Sequence, residues 1–268
     1  MNARHIDVLG KRVEIVEWTP SRAAIGRSNA PSLVFLHEGL GSAKQWRDFP
    51  ALLSDATGLP SVAYSRLGYG ASDPVSLPRP LTYMQDEAQG FLPRVLDALG
   101  VTSAILIGHS DGASIAIVHA ALDARGSGEA ARIQGVVLEA PHVFVEDVSV
   151  ASITKAREVY ETGDLREKLA KHHGENVDGA FRGWNDAWLD PAFRAWNIEE
   201  YLARITAPVL VVQGEDDPYG TRAQVDAITG QVSGAVSVML PQCGHAPHRD
   251  QPEATLDAMI RFVRRVRA

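Results

Sequence analysis

Apolar and polar positions along the chain alternate between two regimes. Residues 5–9 and 12–18 alternate with period two on either side of a turn at Gly10–Lys11, the pattern of a β-hairpin. A loop rich in turn formers follows at 19–31. Then come six short apolar runs, at 32–37, 61–65, 104–108, 133–140, 209–214 and 236–240. Such runs fit parallel strands buried on both faces. Helix-period segments separate most of them. Leu256, Met259, Ile260 and Val263 recur at i, i+3, i+4 and i+7, and Leu92, Leu96 and Leu99 mark a stripe within 82–99. Pro93 removes a backbone donor inside that stripe, which predicts a kink or a restart. The alternation predicts an α/β fold, a right-handed doubly wound parallel sheet flanked by helices.

One stretch breaks the rhythm. From His142 to about Glu200, charged helical segments and turns replace strands, and 7 of the chain's 18 aromatic residues gather there. Phe181, Trp184 and Trp188 fall at i, i+3 and i+7, on one face of a helix. That face either packs on the sheet domain or roofs a pocket. The chain therefore divides into a first core part, residues 1–141, a helical insertion, 142–200, and a second core part, 201–268. Apolar positions on the insertion would equally serve a contact between two copies of the chain, a homodimer.

Charge and composition narrow the field. With 26 Lys+Arg against 33 Asp+Glu in 268 residues, the net charge of −7 offers no basic footprint, so a nucleic-acid partner is not expected. No run of about 18 apolar residues occurs, and charges interrupt the first 18 positions; a cytoplasmic protein without membrane association is the expectation. Cys243 is the only cysteine, which leaves no disulfide framework and no thiolate metal site. The pair His172-His173 lies in a charged segment without metal-ligand spacing and is expected at the surface.

The strongest chemical signal is Gly108-His109-Ser110-Asp111-Gly112, between an apolar run and a helical segment. By chance G-x-S-x-G would appear roughly 0.1 times in such a chain, so its placement is what gives it weight. A serine there sits on a tight strand–helix turn at the carboxyl end of the sheet, beside a helix N-terminus. It needs a base, and the base needs an acid to orient it. His245 follows the last apolar run in the loop Cys243-Gly244-His245-Ala246-Pro247-His248 and is the candidate base, with His248 as its rival. The acid falls in Gly214-Glu215-Asp216-Asp217-Pro218; Asp217 is the candidate and Asp216 the alternative. An oxyanion needs backbone N–H donors. The amide of Asp111 is one, and the glycine-bearing loop His37-Glu38-Gly39-Leu40-Gly41-Ser42 offers another.

These residues together resemble the α/β-hydrolase superfamily over almost the whole chain: the elbow GHSDG, the loop HEGLGS with Trp46 after it, the turn SRLGYGASD, the acid loop GEDDP and the segment GHAPHRDQPE. The resemblance implies an eight-stranded, mostly parallel sheet, a helical cap between the sixth and seventh strands, and acyl transfer to water without a cofactor or metal. It assigns Ser110 as nucleophile, Asp217 as acid, His245 as base, and the amides of Gly39 and Asp111 as the oxyanion hole. Two departures stand out. Glu38 takes the place of the family's usual glycine, which leaves the donor open between Gly39 and Leu40, and Ser65 replaces the usual Asp of the turn. A serine at 110 argues against the superfamily members with an Asp nucleophile.

The function expected is hydrolysis of small to medium carboxylic esters, a small-molecule substrate, in a pocket lined by Glu38, Leu40, Trp184 and Trp188. The side chains of Glu38 and Asp111 are read either as caps or solvent-exposed groups, or as attractors of a cationic substrate group. Two alternatives stand beside the esterase: a carbon–carbon bond hydrolase of diketo-acid type, for which Arg66, Arg182 and Arg194 are candidate carboxylate partners, and a ligand-binding relative with slow turnover.

Overall fold

The computed structural model describes residues 2–21, 30–123 and 131–268. The opening alternation is the hairpin β1 (Asn2–Val8) and β2 (Lys11–Trp18), turned at Leu9 and Gly10, both at positive φ. Residues 22–29 of the loop expected after it lie outside the described residues. Each of the six apolar runs is a strand: β3 (Ser32–Leu36), β4 (Ser61–Tyr64), β5 (Ala104–His109), β6 (Ile133–Glu139), β7 (Val209–Gly214) and β8 (Val236–Leu240). Helix α1 (Phe49–Thr57) joins β3 to β4, and α2 (Tyr83–Asp86) with α3 (Leu92–Ala98) precedes β5. Helix α4 (Asp111–Leu122) follows β5 directly. Between β6 and β7 come α5 (Asp147–Thr162), α6 (Leu165–His173), α7 (Val177–Leu189) and α8 (Glu199–Leu202). Helix α9 (Arg222–Gln231) leads to β8, and α10 (Pro247–Asp250) and α11 (Pro252–Arg267) complete the chain.

The eight strands form one sheet in the order β1-β2-β4-β3-β5-β6-β7-β8, antiparallel at β1–β2 and β2–β4 and parallel elsewhere. Period-two alternation within the central strands sorts their side chains onto two buried faces. The edge strands β1 and β8 are largely exposed, so the run 236–240 is not the doubly buried strand expected. Val34, Leu36, Leu106 and Leu138 join the core with α3 and α4. Leu33, Phe35, Ile105 and Val137 join the other, with Leu53 of α1 and Phe262 of α11. The stripe read in the last helix is the inner face of α11: Met259 and Val263 are fully buried, and Leu256 and Ile260 pack at its margin. At Pro93 the helix restarts. A π turn over Glu87–Phe91 ends there and Pro93 falls in the first turn of α3, where no donor is needed.

The topology places the site. The neighbours of β3 are β4 on one side and β5 on the other, so the winding reverses there. Loops leaving the carboxyl ends of β3 and β5 diverge and leave a crevice, the usual ligand position in such sheets. The chain between β6 and β7 leaves and returns at one point: Phe144 bridges Asn197, and the Ile198 N–H donates to the Val143 carbonyl at 2.8 Å. Among the described residues no helix is long and apolar enough to cross a membrane.

Candidate active site

Ser110 sits between β5 and α4 at φ 53°, ψ −118°, a strained conformation for an L-residue. Close packing enforces it. A Cβ at Gly108 would strike the backbone of Gly112, and one at Gly112 would strike the carbonyl of Leu36 on β3. Both glycines are therefore required by backbone approach. The Ser110 N–H donates to the Glu139 carbonyl at 2.9 Å, tying the turn to β6.

His245 and Asp217 come from the loops after β8 and β7. Imidazole Nδ1 lies 2.9 Å from Asp217 Oδ1 and 2.8 Å from Oδ2. Gln213 Nε2 donates to Oδ2 at 2.7 Å and the Tyr219 N–H to Oδ1 at 2.8 Å, so the carboxylate is fixed from three sides. Burial pushes the Asp217 carboxyl up, but the hydrogen bond and charge of His245 outweigh it and hold the group below its ordinary value. For His245 burial pulls down, and Asp217 outweighs it, so the imidazole pKa is raised. With Nδ1–H donating to the acid, Nε2 is left as the basic atom. Asp216 is exposed, and its N–H goes to the Cys243 carbonyl, so Asp217 is the acid that His245 meets. His248 does not meet it: its Nδ1 contacts Glu139 Oε2 at 2.8 Å in the interior and its ring packs 4.6 Å from Trp46.

Ser110 and His245 line one cavity of about 60 Å³. Glu38, Gly39 and Leu40 from the loop after β3 line it as well, with Trp184 and Trp188 from α7. The four pocket residues read from the sequence are thus brought together with the serine and histidine. Among the described residues the N–H groups of Gly39, Leu40 and Asp111 carry no hydrogen bond, which leaves three donors free at the site. Trp184 lies so close to Gly39 that a Cβ there would collide with the indole. The aromatic face of α7 splits its work. Phe181 stacks on Tyr160 at 3.6 Å within the insertion, whereas Trp184 and Trp188 reach the cavity.

Sequence reading missed His142, Ile153 and Tyr219, which also line the cavity. His142 follows the end of β6, at the sheet edge that carries the serine, so its position was a usable signal. Tyr219 stands two residues past Asp217 and packs 4.7 Å from the His245 ring. Nothing in a single helical isoleucine marks Ile153. Burial, the largest cause, pulls His142 down to about 3 and His109 to about 4, so both rings are neutral near pH 7. His109 Nε2 contacts the His245 carbonyl at 2.6 Å.

Two expectations are corrected. The Asp111 side chain is neither a solvent-exposed cap nor open to a substrate cation: it is fully buried, accepting from Tyr83 Oη at 2.6 Å and Trp188 Nε1 at 3.3 Å. Burial pushes its carboxyl up despite Arg66 at 3.8 Å. His173 is not at the surface. It is 2 % exposed, accepting the Gly70 N–H at Nδ1 and meeting the Leu40 carbonyl at Nε2, both at 3.0 Å; His172 is exposed as expected. The three candidate arginines do not line the cavity. Arg66 Nη2 donates to the Glu38 carbonyl at 2.9 Å, Arg194 pairs with Asp147, and Arg182 is exposed. Among the described residues no group of three or more His, Cys, Asp or Glu is placed to hold a metal ion.

Comparison with known proteins gives a consistent picture. A family model described as "Alpha/beta hydrolase family" matches residues 33–258. A curated relative, 2-succinyl-6-hydroxy-2,4-cyclohexadiene-1-carboxylate synthase of Serratia proteamaculans, is 25% identical over 261 residues, covering 89% of this chain and 95% of the relative. Among solved structures, proline iminopeptidase of Mycobacterium smegmatis superposes with a TM-score of 0.73 at 19% identity, covering 99% of this chain and 98% of the other. Naproxen esterase (carboxylesterase NP) of Bacillus subtilis gives 0.71 at 18% identity, covering 97% and 90%.

Proposed function

The chain belongs to the alpha/beta hydrolase family, and on that premise we propose that it hydrolyses carboxylic esters of small acyl groups through Ser110, His245 and Asp217, beneath a cap formed by residues 142–200. The observation that carries the reading is the pairing of His245 Nδ1 with Asp217 beside a cavity that Ser110 shares. Ser110 Oγ bonds to the ester carbonyl carbon as its proton passes to His245 Nε2. The oxyanion accepts hydrogen bonds from the amides of Asp111 and Gly39. His245 returns the proton to the departing alkoxide, and the acyl group remains on Ser110. A water then gives its proton to His245 and its oxygen to the acyl carbon, and collapse releases the acid and restores the serine.

A cavity of about 60 Å³ fits short acyl groups. The esterase among the similar structures supports the same chemistry. The test is kcat/KM on p-nitrophenyl esters from acetate to decanoate, with Ser110→Ala alongside. Expected is a maximum at a short chain and a loss of at least about 10³-fold in the variant. Equal rates in the two proteins would remove the proposal.

A second reading takes from the similarity to a synthase named for a carboxylate compound only that the substrate carries a carboxylate. On that reading the same serine, histidine and aspartate cleave a carbon–carbon bond in a carboxylated diketo acid. The cavity speaks against it, since its lining contains a carboxylate, Glu38, and neither Lys nor Arg. Turnover of a vinylogous diketo acid in preference to every ester would reverse that judgement.

A further inference from the structure

Glu38 is the anomaly of the site. Other buried carboxylates around it have partners: Asp217 has three donors, Asp111 two, and Glu139 has His248. The Glu38 side chain is half-buried and lines the cavity, yet its carboxylate accepts no hydrogen bond and forms no ion pair among the described residues. Its backbone carbonyl, by contrast, is well served, by Arg66 Nη2 at 2.9 Å and His37 Nδ1 at 2.7 Å. A carboxylate drawn partly out of water without a partner is costly unless a ligand supplies one.

No lysine or arginine of the described residues pairs with it, and His245, the one titratable cation in the same cavity with a raised pKa, is held by Asp217. Arg66 is directed to the Glu38 carbonyl and toward Asp111. Arg249 borders a small void with Glu38 but forms no ion pair with it. His142 and His109 are neutral, as burial pulls them to about 3 and about 4, and burial also lowers His37 and His173. The Glu38 charge lies at the site: burial lowers His245 and Asp217 raises it, burial raises Tyr219, and Glu38 adds to both rises. Trp184, Trp188 and Tyr219 supply aromatic walls, which favour an organic cation. The small cavity volume selects –NH₃⁺ over a quaternary group, and a primary ammonium also donates hydrogen bonds to the carboxylate.

We propose that Glu38, with the aromatic walls of Trp184, Trp188 and Tyr219, forms a subsite for a primary ammonium group on the substrate, a few atoms from the scissile carbonyl. The substrate class is then an amino-substituted ester. This rests on the ester-hydrolase reading, and its test is built to fail separately from that reading.

Two isosteric pairs are compared, with rates divided by those of hydroxide: β-alanyl against butyryl p-nitrophenyl ester, and 2-aminoethyl against propyl ester of one acid. Expected is a preference of about tenfold or more for the amine in at least one pair, the size of a charge-assisted hydrogen bond. In Glu38→Gln that preference collapses toward one, and salt weakens it in the wild type. Ratios near one in both pairs, or a preference that survives Glu38→Gln, overturn the subsite; Ser110-dependent turnover of the butyryl ester then leaves the hydrolase reading standing. If no ester is turned over, the hydrolase reading falls and the subsite is decided by ligand-observed NMR titration with n-butylammonium and n-butanol. Tighter binding of the amine, abolished in Glu38→Gln, supports it; equal or undetectable binding overturns it.

Discussion

Trp188 Nε1 lies 3.3 Å from Asp111 Oδ1 and 3.1 Å from Tyr83 Oη, so the insertion between β6 and β7 grips the residue next to Ser110. Asp111 opens α4, where a carboxylate also suits the positive end of the helix dipole. One buried carboxylate thereby joins the core, the insertion and the turn that presents the serine.

Removing the indole donor should be felt in stability. Trp188→Phe keeps an aromatic ring but leaves a buried acceptor short of one hydrogen bond, a loss of about 1–3 kcal/mol. Urea unfolding of both proteins measures it. A change below about 0.5 kcal/mol, the range of ordinary surface substitutions, would mean that the contact holds nothing.

The raised pKa of His245 fixes the direction of the pH profile. The base works as neutral imidazole, so kcat/KM should rise with pH, and the rise should be centred above the ordinary imidazole value of about 6.5. Asp217→Asn removes the charge that opposes desolvation. The limb should then move to lower pH, while the rate falls by about 10⁴-fold as the tautomer is lost. A limb that stays in place in the variant would show that another group controls it.

Gly39 and Trp184 make a steric prediction. A methyl group at Gly39 collides with the indole, so Gly39→Ala must displace either Trp184 or the loop after β3. Expected is a fall in kcat of about 10²-fold, the loss typical of one misplaced oxyanion donor, with KM changed less. The double variant Gly39→Ala/Trp184→Ala relieves the clash and should recover part of that loss. No recovery would place the damage in the loop itself.

The sheet was legible because central strands buried on both faces are short apolar runs bounded by turn residues. The run Ile115–Val118 is as apolar but lies inside a helix, and β8 is largely exposed at the sheet edge. Ser110, His245 and Asp217 were legible for a related reason: each stands in a loop just past such a run, so topology alone carries it to one sheet edge. Asp111 and His173 were not. Their burial depends on Tyr83, Trp188, Gly70 and Leu40, which lie 28 to 133 positions away in the chain. A charged residue in a polar stretch reads as solvated until the partner that encloses it is known. His142 and Tyr219 fell between the two cases, since strand ends announced their position but not their role.

A second His–carboxylate pair lies behind the serine turn and yields the last prediction. Glu139, at the end of β6, is fully buried; its carbonyl holds the Ser110 N–H, and its carboxylate meets His248 Nδ1 at 2.8 Å. Glu139→Ala removes the anion and strands His248 in the interior, which should cost about 3–5 kcal/mol, as breaking buried pairs does. Burial pushes the Glu139 carboxyl up, but the charge and hydrogen bonds of His248 outweigh it and hold it below its ordinary value. A depressed folded-state pKa gives stability that is complete above the unfolded value and lost as pH falls through the folded one. The gap between wild type and Glu139→Ala should therefore be widest near neutrality and narrow in acid. Guanidinium unfolding at pH 7 and at successively lower pH reads this directly. Replacing both partners by leucine should recover much of the loss, because keeping a carboxylate and an imidazole out of water is itself expensive. A gap that stayed constant with pH would mean that Glu139 acts through its packing, and the electrostatic account of the pair would have to be abandoned.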